Sequence, residues 1–223
     1  MDLNLQAIAH TVAVYAVPVL FAITLHEAAH GYVARRFGDM TAYAQGRISL
    51  NPARHVDLVG TIIVPIAILV VSKLAGGSGF LFGWAKPVPV NYSALKHPKR
   101  DMMWVAAAGP ASNLVMALGW ALLYKLGAAL GSGDYATPLK LMSVAGIEVN
   151  LVLMLLNLLP ILPLDGGRIV ASLLPARMSW QYAKLEPWGF PILLLLMFTG
   201  YLGVILGPMI RASFSIIGTV FRF

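Results

Sequence analysis

Apolar and polar positions along the chain separate into long apolar runs joined by shorter polar stretches. Residues 8–37 predict one long helix, mostly apolar from Ile8 to Leu25. It then carries His26-Glu27-Ala28-Ala29-His30 and stops at Arg35-Arg36-Phe37-Gly38, with cations in the last turn and Gly just beyond. Residues 39–55 are polar, and Gly46-Arg47-Ile48-Ser49-Leu50 reads as a short strand. Residues 58–72 are apolar but interrupted by Pro65, and Gly76-Gly77-Ser78-Gly79 follows. Between Phe80 and Val90, Pro87 and Pro89 exclude a regular helix and predict extended chain or an edge strand. Residues 102–127 predict a helix containing Gly109-Pro110-Ala111-Ser112-Asn113, and residues 128–138 a Gly-rich loop. Residues 139–159 predict a further helix, ended by Leu159-Pro160-Ile161-Leu162-Pro163-Leu164-Asp165-Gly166-Gly167. A short amphipathic piece, 168–184, leads to a last apolar helix at about 188–210. No internal repeat and no low-complexity segment interrupts this series.

Composition turns the apolar runs into membrane segments. Of 223 residues, 59% are apolar and 11% are charged, against about 25% charged in a soluble domain. Such a chain cannot cover a water-soluble globule with polar side chains. The expected fold class is an all-α polytopic membrane protein, a single membrane-embedded domain over 1–223. It has roughly four transmembrane helices, a re-entrant or hairpin segment at 58–83, and short extended edge strands near the active site.

The net charge of +7 reads as flanking charge that sets topology and meets anionic headgroups. No basic run is interleaved with aromatics, which argues against nucleic acid as a partner. The N-terminus has no positive n-region and no small-residue cleavage site, against a cleaved signal peptide. Arg35, Arg36, Arg47 and Arg54 follow the first helix. Lys86, Lys96, Lys99 and Arg100 precede the second, and Arg168, Arg177 and Lys184 follow the third. If 58–83 dips into the membrane and returns, these groups share one face, the cytoplasmic one by the positive-inside rule. If 58–74 is a complete crossing, they are split.

There is no Cys, so disulfides, thiolate zinc sites and thiol nucleophiles are excluded. The sharpest chemical signal is His26-Glu27-Ala28-Ala29-His30. On a helix, positions i and i+4 share a face, and two imidazoles there can take two corners of a tetrahedral zinc site. Glu27 is rotated by about 100° from His26, beside a metal rather than on it, where a general base for an attacking water belongs. In a chain of this composition about 0.0015 such patterns arise by chance, and ionisable groups deep in an apolar helix are costly unless they serve a function.

A zinc site needs a third protein ligand. His10 lies about 24 Å along the helix from His26, and His55, Asp57 and His97 receive no role, His55 reading best as a headgroup-level histidine. Asp165 is the best candidate, since it follows two prolines that break a membrane helix and could be aimed inward. The alternative is an interfacial turn with Asp165 as N-cap of the next helix. Asn113 and Asn157 are buried amides that either bond between helices or hold substrate and an oxyanion.

His26-Glu27-Ala28-Ala29-His30, Gly109-Pro110-Ala111-Ser112-Asn113 and Asn157-Leu158-Leu159-Pro160-Ile161-Leu162-Pro163-Leu164-Asp165-Gly166, in this order, resemble the signature elements of site-2 proteases, the intramembrane zinc metalloproteases of peptidase family M50. The resemblance covers residues 20–175 or so. It implies one Zn2+ per chain bound by His26, His30 and Asp165, with Glu27 as general base. It implies regulated intramembrane proteolysis of membrane proteins that carry a transmembrane helix, in a prokaryotic cell membrane with the active site toward the cytoplasm. It also implies that Gly83, Trp84, Val88 and Val90 present substrate as an added strand. The sequence departs from larger members in leaving no space for a PDZ domain between helices and no nucleotide-sensing domain after the last. The competing readings are a membrane metal-ion transporter or sensor using the same ligands, and an inactive scaffold. In a transporter Glu27 would be a ligand or relay, whereas hydrolysis needs it as a free base.

Overall fold

The computed structural model describes residues 5–55, 57–64, 67, 86–131 and 133–223. Its helices are α1 (Leu5–Arg36), α2 (Thr41–Ala44), α3 (Pro98–Ala129), α4 (Ala136–Asn157), α5 (Asp165–Leu173), α6 (Ala176–Ala183), α7 (Glu186–Phe198) and α8 (Tyr201–Phe221). Four of these are long and apolar enough to cross a membrane: α1 from His10, α3, α4 and α8. Large apolar side chains stand exposed on their outer faces, among them Val115 at 69%, Leu122 at 60%, Val204 at 67% and Val220 at 68%. An apolar outer surface of this extent belongs against lipid rather than water, and the molecule is an all-α integral membrane protein.

The helix ends follow local chemistry. At the end of α1, Gly38 takes φ +107°. Gly38 N–H then bonds Arg35 O at 3.1 Å and Asp39 N–H bonds Ala34 O at 3.0 Å, a complete Schellman stop at the expected glycine. α3 starts four residues before the expected 102. Pro98 fits the first helical position, and Asp101 Oδ2 accepts from His97 N at 2.7 Å while Asp101 N–H returns to His97 O at 2.8 Å. The polar run Lys99-Arg100-Asp101 resembles a loop in sequence but caps a helix.

The expected last helix at 188–210 is two helices. Thr199 and Gly200 separate α7 from α8, with Gly200 at φ +78°. The 168–184 piece is likewise split into α5 and α6. Among the described residues no β-ladder forms: Gly46–Leu50 is turn and bend, and residues 86–91 run without a strand partner. Leu58–Ile63 form a short π-helical stretch whose N-cap, Asp57, accepts from Gly60 N at 2.6 Å. Apart from Val64 and Ala67, the rest of the expected 58–83 hairpin, with Gly83, and Trp84 beyond it lie outside the described residues.

α3 is the central helix, packed against α1, α4 and α5, with α8 laid on α4 and α3. Small residues let the helices approach: Ala117 and Ala121 pack with Ile147, Leu151 and Ile217, and a Cβ at Gly146 would overlap the Trp120 indole. A second cluster, Ala34, Leu95, Met102 and Val105, joins the C-terminal end of α1 to the start of α3. Lys96 N–H bonds Phe37 O at 3.0 Å, so residues 38–95 leave and return at the same end of the bundle. The C-terminal end of α1 and the chain entering α3 therefore meet at one end of the bundle.

Candidate metal centre

His26 and His30 lie one turn apart on α1, and His26 sits ten residues, about 15 Å, inside the Arg36 end. Asp165 reaches the same point from the first turn of α5. Leu164, not Asp165, is the N-cap of that helix, so the capping alternative fails and the carboxylate turns inward. What allows this is backbone packed on backbone. A Cβ at Gly166 would overlap the carbonyls of Leu158 and Leu159, and one at Gly167 would stand 2.6 Å from Ile161 C. Two adjacent glycines after Asp165 let α5 begin directly against the chain leaving α4.

The three side chains converge closely. His26 Nε2 and His30 Nε2 are 3.1 Å apart, and Asp165 Oδ2 is 3.2 Å from the first and 3.4 Å from the second. The three residues are at most 9% exposed. Each imidazole is held through its other nitrogen. His30 Nδ1 meets Val105 O at 2.7 Å, and a carbonyl only accepts, so Nδ1 carries the proton. His26 Nδ1 donates to Asn113 Oδ1 at 2.6 Å, because the Asn113 amide nitrogen is already donating to Asn150 Oδ1 at 2.9 Å and Ala22 O at 3.4 Å. Both Nε2 atoms are then bare lone pairs. Asp165 Oδ2 is buried with no hydrogen-bond donor aimed at it.

Three electron-rich atoms facing one another in a buried space repel unless a cation lies among them. Zinc bonds to N and O of about 2.0–2.1 Å set a tetrahedral edge of about 3.3–3.4 Å, close to the three separations in the protein. The donor set, two imidazoles and one carboxylate with their outer atoms engaged, suits zinc. Among the described residues this is the one group of three or more His, Asp or Glu side chains close enough to share an ion.

Family membership follows from the whole sequence. The model of peptidase family M50 matches residues 14–200. The chain belongs to peptidase family M50. The "Putative zinc metalloprotease YwhC" of Bacillus subtilis is 38% identical over 200 residues, spanning 88% of this chain and 85% of the relative. The "Putative zinc metalloprotease Rip2" of Mycolicibacterium smegmatis is 31% identical over 180 residues, 81% of this chain and 64% of the relative. The "Putative zinc metalloprotease Rip3" of Mycobacterium tuberculosis is 33% identical over 161 residues, 71% of this chain but 30% of the relative. The chain thus spans less than two thirds of the latter two. No solved structure matches it. The M50 chain is a metalloprotease, and its His/His/Asp group is compatible with the zinc these names carry.

Glu27 stands outside the triad of ligand atoms in this M50 chain. It is half-buried, and its Oε2 accepts from Val88 N at 2.7 Å. Residues 86–91 form a strap across this end of α1. Lys86 N–H bonds His55 O at 2.8 Å, Arg47 donates to Lys86 O at 2.8 Å, and Asn91 N–H bonds Asp39 Oδ2 at 2.6 Å. The strap seats on Gly31, where a Cβ would stand 3.0 Å from Val88 Cγ1. Val88 is buried and Val90 packs beside Leu95 and Met102. The side chains of these two residues therefore face the protein. With Pro at 87 and 89, Val90 N–H is the strap donor that has no partner among the described residues.

Several expectations for polar residues change. Asn113 is fully buried, with both amide atoms committed to His26, Asn150 and Ala22, so it orients a histidine rather than substrate or an oxyanion. Asn157 bonds its own helix at Leu153 O, 2.9 Å away, and does not join the triad. His55 is enclosed by protein rather than open at the surface. It is 2% exposed, its Nε2 meets Ser49 O at 2.8 Å and its carbonyl anchors the strap. Asn150 and Asp39, both fully buried, were not singled out by the sequence. Asn150 carried the same signal as Asn157, an amide inside an apolar helix. Asp39 looked like the first residue of a polar loop.

Proposed function

We propose that the protein is an intramembrane zinc protease that cuts peptide bonds within or near transmembrane segments of membrane proteins, as one membrane-embedded catalytic domain. His26, His30 and Asp165 hold one zinc ion, and Glu27 is the general base. The observation that carries this reading is the meeting of three bare ligand atoms 3.1–3.4 Å apart beside a carboxylate that is not one of them. Bound there, zinc supplies a Lewis acid for a peptide carbonyl and acidifies the attacking water.

The chain supplies the rest. Val105 O and Asn113 fix the imidazole planes and tautomers. Burial at most 9% open to solvent keeps the site dry apart from the water that reacts. Glu27 takes a proton from that water and returns it to the leaving amine. The Val88 N–H holds its carboxylate in place while leaving the other oxygen to act. A substrate helix has its carbonyls hydrogen-bonded and must unwind, and the 86–91 strap offers backbone to an extended segment. Val90 N–H supports that pairing, whereas Val88 N–H serves Glu27. By the positive-inside rule the basic end of the bundle, and the site near it, face the cytoplasm of a prokaryotic cell. Transport of a metal ion would use Glu27 as a ligand, and its place outside the triad favours hydrolysis.

The test is Glu27→Gln in the purified protein, measured for zinc content and for cleavage of a panel of single-span membrane proteins. Zinc should stay near one per chain while cleavage falls by about 10⁴-fold or more, the upper range for loss of a positioned acid–base group. Cleavage near the wild-type rate would refute the role of Glu27 even with zinc in place.

A further inference from the structure

Asn150 sits in the middle of α4, fully buried, on a helix that carries none of the metal ligands. Its amide nitrogen donates to Gly146 O at 2.8 Å, and its Oδ1 accepts from Asn113 Nδ2 at 2.9 Å. We propose that Asn150 is a positioning residue that selects the zinc-binding tautomer of His26, by fixing which way the Asn113 amide faces. This rests on the zinc reading above and adds a residue outside the three ligands and their direct partners.

The argument follows donors and acceptors along one line. A carboxamide can be turned over with almost no change of shape, so packing alone does not choose between its two ends. Gly146 O only accepts, so it must face the Asn150 NH2, which sets Asn150 Oδ1 toward Asn113. That oxygen also only accepts, so it must face the Asn113 NH2, which sets Asn113 Oδ1 toward His26. Asn113 Oδ1 in turn requires the proton on His26 Nδ1 and leaves Nε2 as a bare lone pair directed at His30 Nε2 and Asp165 Oδ2.

If Asn113 turned over, its NH2 would face His26 Nδ1, the proton would move to Nε2, and the ligand atom would be blocked. That arrangement is opposed because Asn113 Oδ1 would then lie 2.9 Å from Asn150 Oδ1 and 3.4 Å from Ala22 O. Ala22 O, at the longer distance, is the weaker hold, and Asn150 is the stronger. At membrane depth no water is at hand to satisfy the wrong orientation. The bland role of a buried Asn, tying two helices together, needs no particular amide orientation and predicts no effect on a histidine it does not touch.

The experiment uses the full chain in detergent. Zinc affinity is measured by competition with a chelator. Nitrogen-15 NMR of labelled histidine in the zinc-free protein reports which nitrogen of His26 bears the proton. Asn150→Leu should lower zinc affinity by about 10- to 100-fold, the usual cost of losing an outer partner of a ligand, and should move His26 toward the Nε2–H form. Asn150→Ala removes the same acceptor without bulk and serves if the Leu variant does not fold. Adding Asn113→Asp to either variant should restore affinity, because a carboxylate accepts from His26 Nδ1 in either orientation and needs no partner at 150.

Wild-type affinity and an unchanged histidine spectrum in the Asn150 variants would overturn the proposal. So would a loss that Asn113→Asp fails to restore, which marks a packing defect. If the wild type itself binds no zinc, the ligand assignment fails, while the histidine spectra still decide the relay.

Discussion

Gly109→Ala is the sharpest single-atom test of the metal centre. Gly109 lies on α3 directly against the two imidazoles. A Cβ there would overlap His30 Nε2 and stand 2.6 Å from both Cε1 and Nε2 of His26. To recover an ordinary 3.4 Å contact the His26 ring must retreat by about 0.8 Å, beyond the tolerance of about 0.5 Å for a working metal site. Neither ring is free to do so. His26 is tied to Asn113 and His30 to Val105 O.

Stability should respond differently from function. Gly→Ala in a helix interior favours folding by about 0.5–1 kcal/mol, and overpacking costs about 1–3 kcal/mol. The net change in the zinc-free protein is therefore between neutral and about 2.5 kcal/mol of loss. Cleavage should fall by about 10²-fold or more, and chelator competition should show weakened zinc binding. Gly119→Ala, on the same helix with open space at its Cβ, is the control and should leave both unchanged. A folded Gly109→Ala protein that binds zinc and cleaves like the wild type would refute the close contact on which the site geometry depends.

Asp165→Ala should leave the protein folded but remove most of its zinc, read by elemental analysis; full retention would exclude it as a ligand. Asp39→Ala leaves the N–H groups of Thr41 and Asn91 without their acceptor, which should cost about 1–3 kcal/mol in thermal unfolding and reduce cleavage more than zinc content, since the strap holds Glu27 rather than the metal. A topology reporter at 133–135 should be extracytoplasmic and one at 92–96 cytoplasmic; both on one face would overturn the orientation of α3.

The convergence of three side chains was legible in part because some of its chemistry is local. His26 and His30 declare themselves by i, i+4 spacing, whereas the residues around Asp165 leave a capping alternative open that only the family resemblance argues against. Gly38 announced a stop for the same reason: a positive φ beside Ala34 and Arg35 needs only its neighbours to be understood. What stayed hidden depends on partners distant in sequence. Asn150 and Asn157 are the same residue type seven apart on one helix, and nothing local says that the first faces Asn113 and the second its own backbone. His55 gives no sign in the sequence that Ser49 and Lys86 hold it in a buried place. The helix break at Gly200 was missed because apolar residues continue unbroken on both sides, and a glycine inside such a run carries no boundary signal by itself.

The Gly109–Asn113 motif acquires its meaning from register. Val105, Gly109 and Asn113 are spaced four apart and form one ridge on α3. Ala22, His26 and His30 form the matching ridge on α1, and the helices run antiparallel. Asn113 therefore meets Ala22 O and His26, Gly109 lies between the two imidazoles, and Val105 O meets His30. Pro110 has no N–H to return to Ala106 O, which loosens the helix next to the carbonyl that holds His30. α3 contributes none of the proposed metal ligands, yet it sets the plane, spacing and proton position of two of them. Gly109→Ala or Asn113→Leu on this ridge should consequently weaken zinc binding without touching a ligand, whereas Val115 or Leu122, which face outward on the same helix, should tolerate any apolar residue.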